Sequence, residues 1–98
     1  MRSLDNAMAD LSAKYRGMTY EIQPKSRKRW ILTVYNECVP GSYLKIEILD
    51  RNGVPAALVL ERRSLGYPSM SRFMNRLMDA LDPPAWECAD FVEPGEDD

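Results

Sequence analysis

The chain contains no histidine, and that omission removes both the usual general base near neutral pH and the usual zinc ligand. It has two cysteines, Cys38 and Cys88, far apart and without metal-ligand spacing, so two reduced, partly buried thiols are expected. Neither has a base or cation beside it that would activate a nucleophile. Its five glycines are scattered as punctuation, and none belongs to a phosphate-cradling loop. The carboxylates Asp79 and Asp82 lie at a helix end beside prolines, where solvation is their expected role. No apolar run approaches membrane-spanning length, and the start, Met1 to Asn6, has one base but no apolar stretch. These absences predict a non-enzymatic protein with no cofactor, no metal, no membrane partner and, by default, a cytoplasmic location.

What remains is ordinary globular material: 98 residues, 45% hydrophobic and 29% charged. That is enough for one modest core, and the expectation is a single domain over residues 1–92 followed by a flexible acidic tail, 93–98. The net charge of −2 hides an uneven distribution. Residues 1–84 hold thirteen bases against nine acids, a balance of +4, whereas residues 85–98 hold six acids and no base, −6. A mildly basic body with an acidic tail points toward interaction, although such tails also serve solubility alone.

Ser3 is placed to cap a first helix in which Leu4, Ala7, Met8, Leu11 and Tyr15 recur at helical spacing, with Gly17 as a stop. Met18 to Ile22 alternates as a strand ended by Pro24, and Lys25-Ser26-Arg27-Lys28-Arg29 leads into a second strand, Trp30 to Cys38. Matching faces pairs Ile22 with Trp30, Tyr20 with Leu32 and Met18 with Val34. Val39-Pro40-Gly41-Ser42 turns the chain into a hairpin spanning Tyr43 to Arg63. There Leu44, Ile46, Ile48, Ala56, Leu58 and Leu60 are all even-numbered. A two-residue Asn52-Gly53 loop would put the two apolar sets on opposite faces. A three-residue loop, Arg51 to Gly53, keeps them together and pairs Asp50 with Val54, Ile48 with Ala56, Ile46 with Leu58 and Leu44 with Leu60. Parity therefore favours three. A second helix capped by Ser69 carries Met70, Phe73, Met74, Leu77, Met78 and Leu81, and Asp82-Pro83-Pro84 ends it. Trp86, Cys88 and Val92 are expected to add a short strand or strap. The fold class is α+β: a four-stranded antiparallel β-meander with an N-terminal helix and a C-terminal amphipathic helix packed on the sheet.

One sheet face is clearly core. The other is mixed, and Ile31, Tyr35, Leu49 and Val59 make it a candidate protein interface, with Ile31 expected opposite Leu49 and Lys45 opposite both Tyr35 and Val59. The first helix, a second copy or another protein would cover it. The basic turn supplies a second lead. Lys25, Arg27, Lys28, Arg29, Lys45 and Arg63 suit phosphate contacts, and Tyr35 and Tyr43 suit base stacking on a single strand. A solvated turn that keeps strand edges apart is the competing explanation. Met70, Met74 and Met78 are read as core filler rather than as an adaptable groove.

The run Tyr43 to Gly53, followed by Leu58-Val59-Leu60-Glu61-Arg62-Arg63 and an amphipathic helix, resembles small meander-then-helix domains attached to helicases and primases of mobile genetic elements. It is also similar to single-strand-binding coactivator folds. The resemblance covers about half of the chain and implies a nucleic-acid accessory role without assigning residues. The helix, strands, helix order is similar to double-stranded RNA-binding domains too, but Ser69-Met70-Ser71-Arg72 stands where their lysine cluster is expected. The residues themselves place first a small protein-binding module, an adaptor or inhibitor able to self-associate through the outer sheet face or an edge strand. A single-stranded nucleic-acid accessory protein, with the acidic tail competing for its basic loop, stands second.

Overall fold

A computed structural model describes residues 1–64 and 67–82. The order is α1 (Leu4–Lys14), β1 (Met18–Ser26), β2 (Arg29–Asn36), β3 (Tyr43–Arg51), β4 (Val54–Arg63) and α2 (Tyr67–Leu81). The strands form one antiparallel sheet in the order β1-β2-β3-β4, so the protein is α+β, as the alternation and helical periodicities imply. No described helix is long and apolar enough to cross a membrane. The Trp86, Cys88 and Val92 strap and the acidic tail lie outside the described residues.

Helix α1 starts where the sequence places it. Ser3 Oγ accepts from the Asn6 N–H at 3.5 Å, and Leu4, Ala7, Met8 and Leu11 are buried along one stripe. Past its end, Gly17 takes φ +79°, a left-handed conformation open to glycine at little cost. Helix α2 begins at Tyr67, two residues before the expected Ser69 cap. Proline at position 68 is compatible with a first turn, where its missing N–H would have no partner in any case.

Both helices cover the same sheet face. Leu4, Ala7, Met8 and Leu11 of α1 and Phe73, Leu77 and Leu81 of α2 form one cluster with Leu32, Val34, Leu44, Ile46 and Ile48. Met70, Met74, Trp30, Tyr20 and Ile22 pack at its margin, so Met70, Met74 and Trp30 are core material, whereas Met78 does not join the cluster. Tyr15 meets Phe73 edge to face at 6.1 Å between ring centres, and the Arg76 guanidinium lies 5.6 Å from the Tyr15 ring centre. No other described element covers the face opposite the helices.

All three expected registers are corrected. Tyr20 pairs with Val34 and Ile22 with Leu32, two residues from expectation, because β1 continues through Pro24 to Ser26 and the turn is only Arg27-Lys28. Pro24 is tolerated because β1 is an edge strand. Between β2 and β3, Arg29 pairs with Leu49, Ile31 with Glu47 and Tyr35 with Tyr43, again a shift of two that leaves the faces unchanged.

The β3–β4 correction changes faces. The loop is the two-residue Asn52-Gly53 turn, with Arg51 opposite Val54 and φ of +56° and +88° at the two turn residues. Two positive φ values match the right-handed twist of the flanking strands. Ile46 consequently pairs with Val59 and Ile48 with Ala57, so Val59 joins the core side and Leu58 turns outward beside Glu47. An irregularity at Leu60 then resets the ladder, giving Lys45 opposite Glu61, Leu44 opposite Arg62 and Tyr43 opposite Arg63.

Candidate interaction surface: the open sheet face and the β4 edge

Side chains alternate across a strand, so the register arranges the open face in rows. One row is Arg29, Leu49 and Ala56; the next is Gln23, Ile31, Glu47 and Leu58; then come Glu21, Thr33, Lys45 and Glu61, and finally Thr19, Tyr35, Tyr43 and Arg63. Of the four expected interface residues, Ile31, Tyr35 and Leu49 share this face. Ile31 is only 5% exposed among its neighbours, so it supports the surface more than it offers one. Val59 is excluded, because it packs against the helix-covered core. The sequence reading missed Leu58, 59% exposed, and Leu60, 47% exposed, and had placed both in the core. The Asn52-Gly53 pair was the signal that should have found them.

Polar contacts organise the rest of the face. Arg29 Nε and a Glu47 carboxylate oxygen form an ion pair. The Tyr35 hydroxyl donates to Glu21 Oε1 at 3.1 Å, and the Tyr43 hydroxyl donates to Glu61 Oε2 at 2.5 Å. These bonds, with smaller contributions from desolvation and from the carboxylate charges, raise both phenol pKa values above the ordinary 10. Both aromatic rings thus carry a carboxylate at their polar tips.

The expected nucleic-acid contacts separate into two groups. Lys25, Arg27, Lys28 and Arg29 lie at the β1–β2 turn, whereas Tyr35, Tyr43 and Arg63 occupy the opposite end of the sheet. Tyr35 lies six positions along β2 from Arg29, about 20 Å at strand rise. Lys45 lies between them, paired across strands with Glu61.

The two sheet edges differ as well. On β1, Pro24 lacks an N–H and the ladder is irregular between Pro24 and Ser26, which blunts that edge. On β4 the stretch between Pro55 and the Leu60 irregularity is regular, and among the described residues it pairs only with β3. Backbone groups alternate between facing and leaving the partner strand. With Arg51 and Val54 closing the turn as a hydrogen-bonded pair, Ala57 and Val59 direct their N–H and C=O groups to the open edge.

A cleft of about 230 Å³ lies at the tyrosine end of the sheet, lined by Tyr15, Val34, Leu44, Met70 and Phe73 among others. The buried Tyr15 hydroxyl has no hydrogen-bond partner among the described residues. That cleft falls below the roughly 300 Å³ at which small-molecule sites begin, and a second, more open depression of about 500 Å³ is lined by Glu21, Ile22, Gln23, Ile31 and Thr33. No protein-family model, curated protein or solved structure matches this chain.

Proposed function

We propose that this protein is a non-catalytic protein-binding module that joins a second copy of itself through the β4 edge and the adjoining open face. The observation that supports this reading is Leu58: a large apolar side chain, more than half exposed, on a strand edge that no other described strand pairs with, beside a sheet face that neither helix covers. Exposed apolar edges favour strand pairing, and a second copy meets the same donors and acceptors in reverse. A two-fold axis through Leu58 sets Ala57 of one copy opposite Val59 of the other, makes four backbone hydrogen bonds, and brings the two Leu58 side chains together. Five residues per edge bury far less than the ~1,200 Å² of a stable interface, so the association is weak, with Kd on the order of 100 μM.

Sedimentation equilibrium from about 5 to 500 μM tests it across the expected Kd. Wild type should pass from monomer to dimer, and Leu58→Lys should stay monomeric with an unchanged circular dichroism spectrum. A monomeric wild type at the highest concentration, or a Leu58→Lys variant that dimerises equally well, removes the proposal.

A second reading, contact with single-stranded nucleic acid, draws support from the exposed cations of the β1–β2 turn. The distance of Tyr35 and Tyr43 from that turn and the carboxylates on their hydroxyls weaken it. Oligonucleotide binding that is absent at low salt, or indifferent to salt, would eliminate it.

A further inference from the structure

Three backbone hydrogen bonds gather separate parts of the chain at one end of the sheet. The Asp50 N–H donates to the Lys28 carbonyl at 2.9 Å, tying the β1–β2 turn to the end of β3. The Met1 ammonium donates to the Gly53 carbonyl at 2.8 Å, and the Arg2 N–H donates to the Leu81 carbonyl at 2.8 Å. The last turn of α2 therefore lies at the same end as both hairpin turns.

That end gathers exposed cations; its carboxylates include Asp50, whose Oδ1 accepts from the Gly53 N–H at 2.7 Å, and Asp82, just past α2. Among the described residues the ion pairs are Arg2 with Asp10, 2.6 Å, and Arg29 with Glu47. Lys25, Arg27, Lys28 and Arg51 are exposed and form no ion pair with the described residues. The chain leaves α2 here, and residues 85–98 carry six acids and no base. We infer that this basic end is an acidic-peptide site whose occupant is the chain's own segment 85–98, bound in cis.

Reach and concentration both permit it. Glu93 is eleven positions beyond Asp82, an extended span of nearly 40 Å and a coil average of about 18 Å. Tethering at that length gives an effective concentration in the millimolar range, so even a site with a millimolar dissociation constant is substantially filled. The chemistry is that of guanidinium and ammonium groups meeting carboxylates in open solvent, which salt screens. Occupancy would neutralise this basic end and shield it from other polyanions. It is independent of self-association, which uses the β4 edge.

The test is zero-length carbodiimide cross-linking of the full chain, with linked peptides mapped by mass. The chain has four lysines, and two are internal controls: Lys14 is the last residue of α1, and Lys45 sits in mid-sheet. Links from Glu93, Glu96, Asp97 and Asp98 should go to Lys25 and Lys28, and fall at least about fivefold between 20 mM and 0.5 M salt. Arg27→Glu with Arg51→Glu keeps both reporter lysines and should lower the yield comparably. Mixing isotopically labelled and unlabelled chains identifies links made within one chain. Links spread evenly over all four lysines, links insensitive to salt or to the charge reversals, or links made only between chains would overturn the inference.

Discussion

Replacing Leu58 and Val59 separately by alanine tests the placement on which the proposed interface depends, because the two possible hairpin loops rank these residues oppositely. In the three-residue loop Leu58 would face Ile46, which is fully buried, and Leu58→Ala would cost about 2–5 kcal/mol, as truncation of a buried leucine does. In the two-residue loop of the structure Leu58 keeps 59% of its exposure. Full burial of a leucine is worth about 1.5–3 kcal/mol, so the two-fifths withdrawn from water sets a loss of about 1 kcal/mol or less, with no cavity left behind. Val59 is half-buried against the core cluster and opposite Ile46, and its truncation should cost about 1–1.5 kcal/mol at ~0.8 kcal/mol per methylene-sized group. Urea unfolding followed by circular dichroism at low micromolar concentration, where self-association makes no contribution, reads both. Taking m as about 1–1.5 kcal/mol/M, Leu58→Ala should shift the midpoint by less than about 1 M, and Val59→Ala by at least as much as Leu58→Ala. A loss above about 2 kcal/mol for Leu58→Ala would refute the two-residue register and the apolar edge with it.

Two further outcomes follow from the same geometry. Gly53→Ala forces a Cβ into φ +88° and should destabilise the protein by roughly 1–2 kcal/mol, read as a fall in thermal midpoint of about 4–8 °C per kcal/mol; an unchanged midpoint would argue against the turn. The phenols of Tyr35 and Tyr43 have folded-state pKa values raised above 10 by their bonds to Glu21 and Glu61, so the stability they contribute is complete below pH 10 and disappears as pH rises through the raised values. Ultraviolet phenolate titration should show both ionising late, and Glu21→Gln or Glu61→Gln should bring the corresponding tyrosine back toward 10.

Much of the architecture was legible because burial leaves a period. The α1 stripe, the even-numbered core face of β1 to β3 and the α2 stripe each repeat as their element demands. Pairing was less legible, for reasons specific to each connection. Pro24 looked like a strand end, but on an edge strand its missing N–H costs the ladder nothing, so β1 ran on and the β1–β2 register moved by two. The β2–β3 connection is organised by side chains bonding to backbone: Asn36 Oδ1 accepts from the Cys38 N–H at 2.9 Å, and the Ser42 hydroxyl donates to the Val39 carbonyl at 2.8 Å. Such local bonds leave no hydrophobic pattern from which a register can be counted. Of the expected interface residues Val59 alone changed face, because its side depended on the hairpin loop. The gathering of cations at one sheet end was invisible for a different reason: Arg2, Lys28 and Arg51 are distant in sequence and meet only through the fold.

The hairpin also shows why the disagreement between turn chemistry and apolar parity matters for function. A uniform three-residue register would have buried Leu58 and Leu60, left Val59 outside and given β4 an outward row of mixed character. Asn52-Gly53 instead selects the two-residue turn locally, and the irregularity at Leu60 confines the consequence to the segment between Pro55 and that point. Beyond it, Glu61 and Arg63 return opposite Lys45 and Tyr43, where a charged face is restored. The outcome is a short apolar stretch of open edge bounded by proline on one side and by charge on the other. A longer stretch would invite indefinite strand addition; this one has room for a single antiparallel partner strand of about its own length. A self-limiting pairing of two copies is therefore the association that the β4 edge fits best.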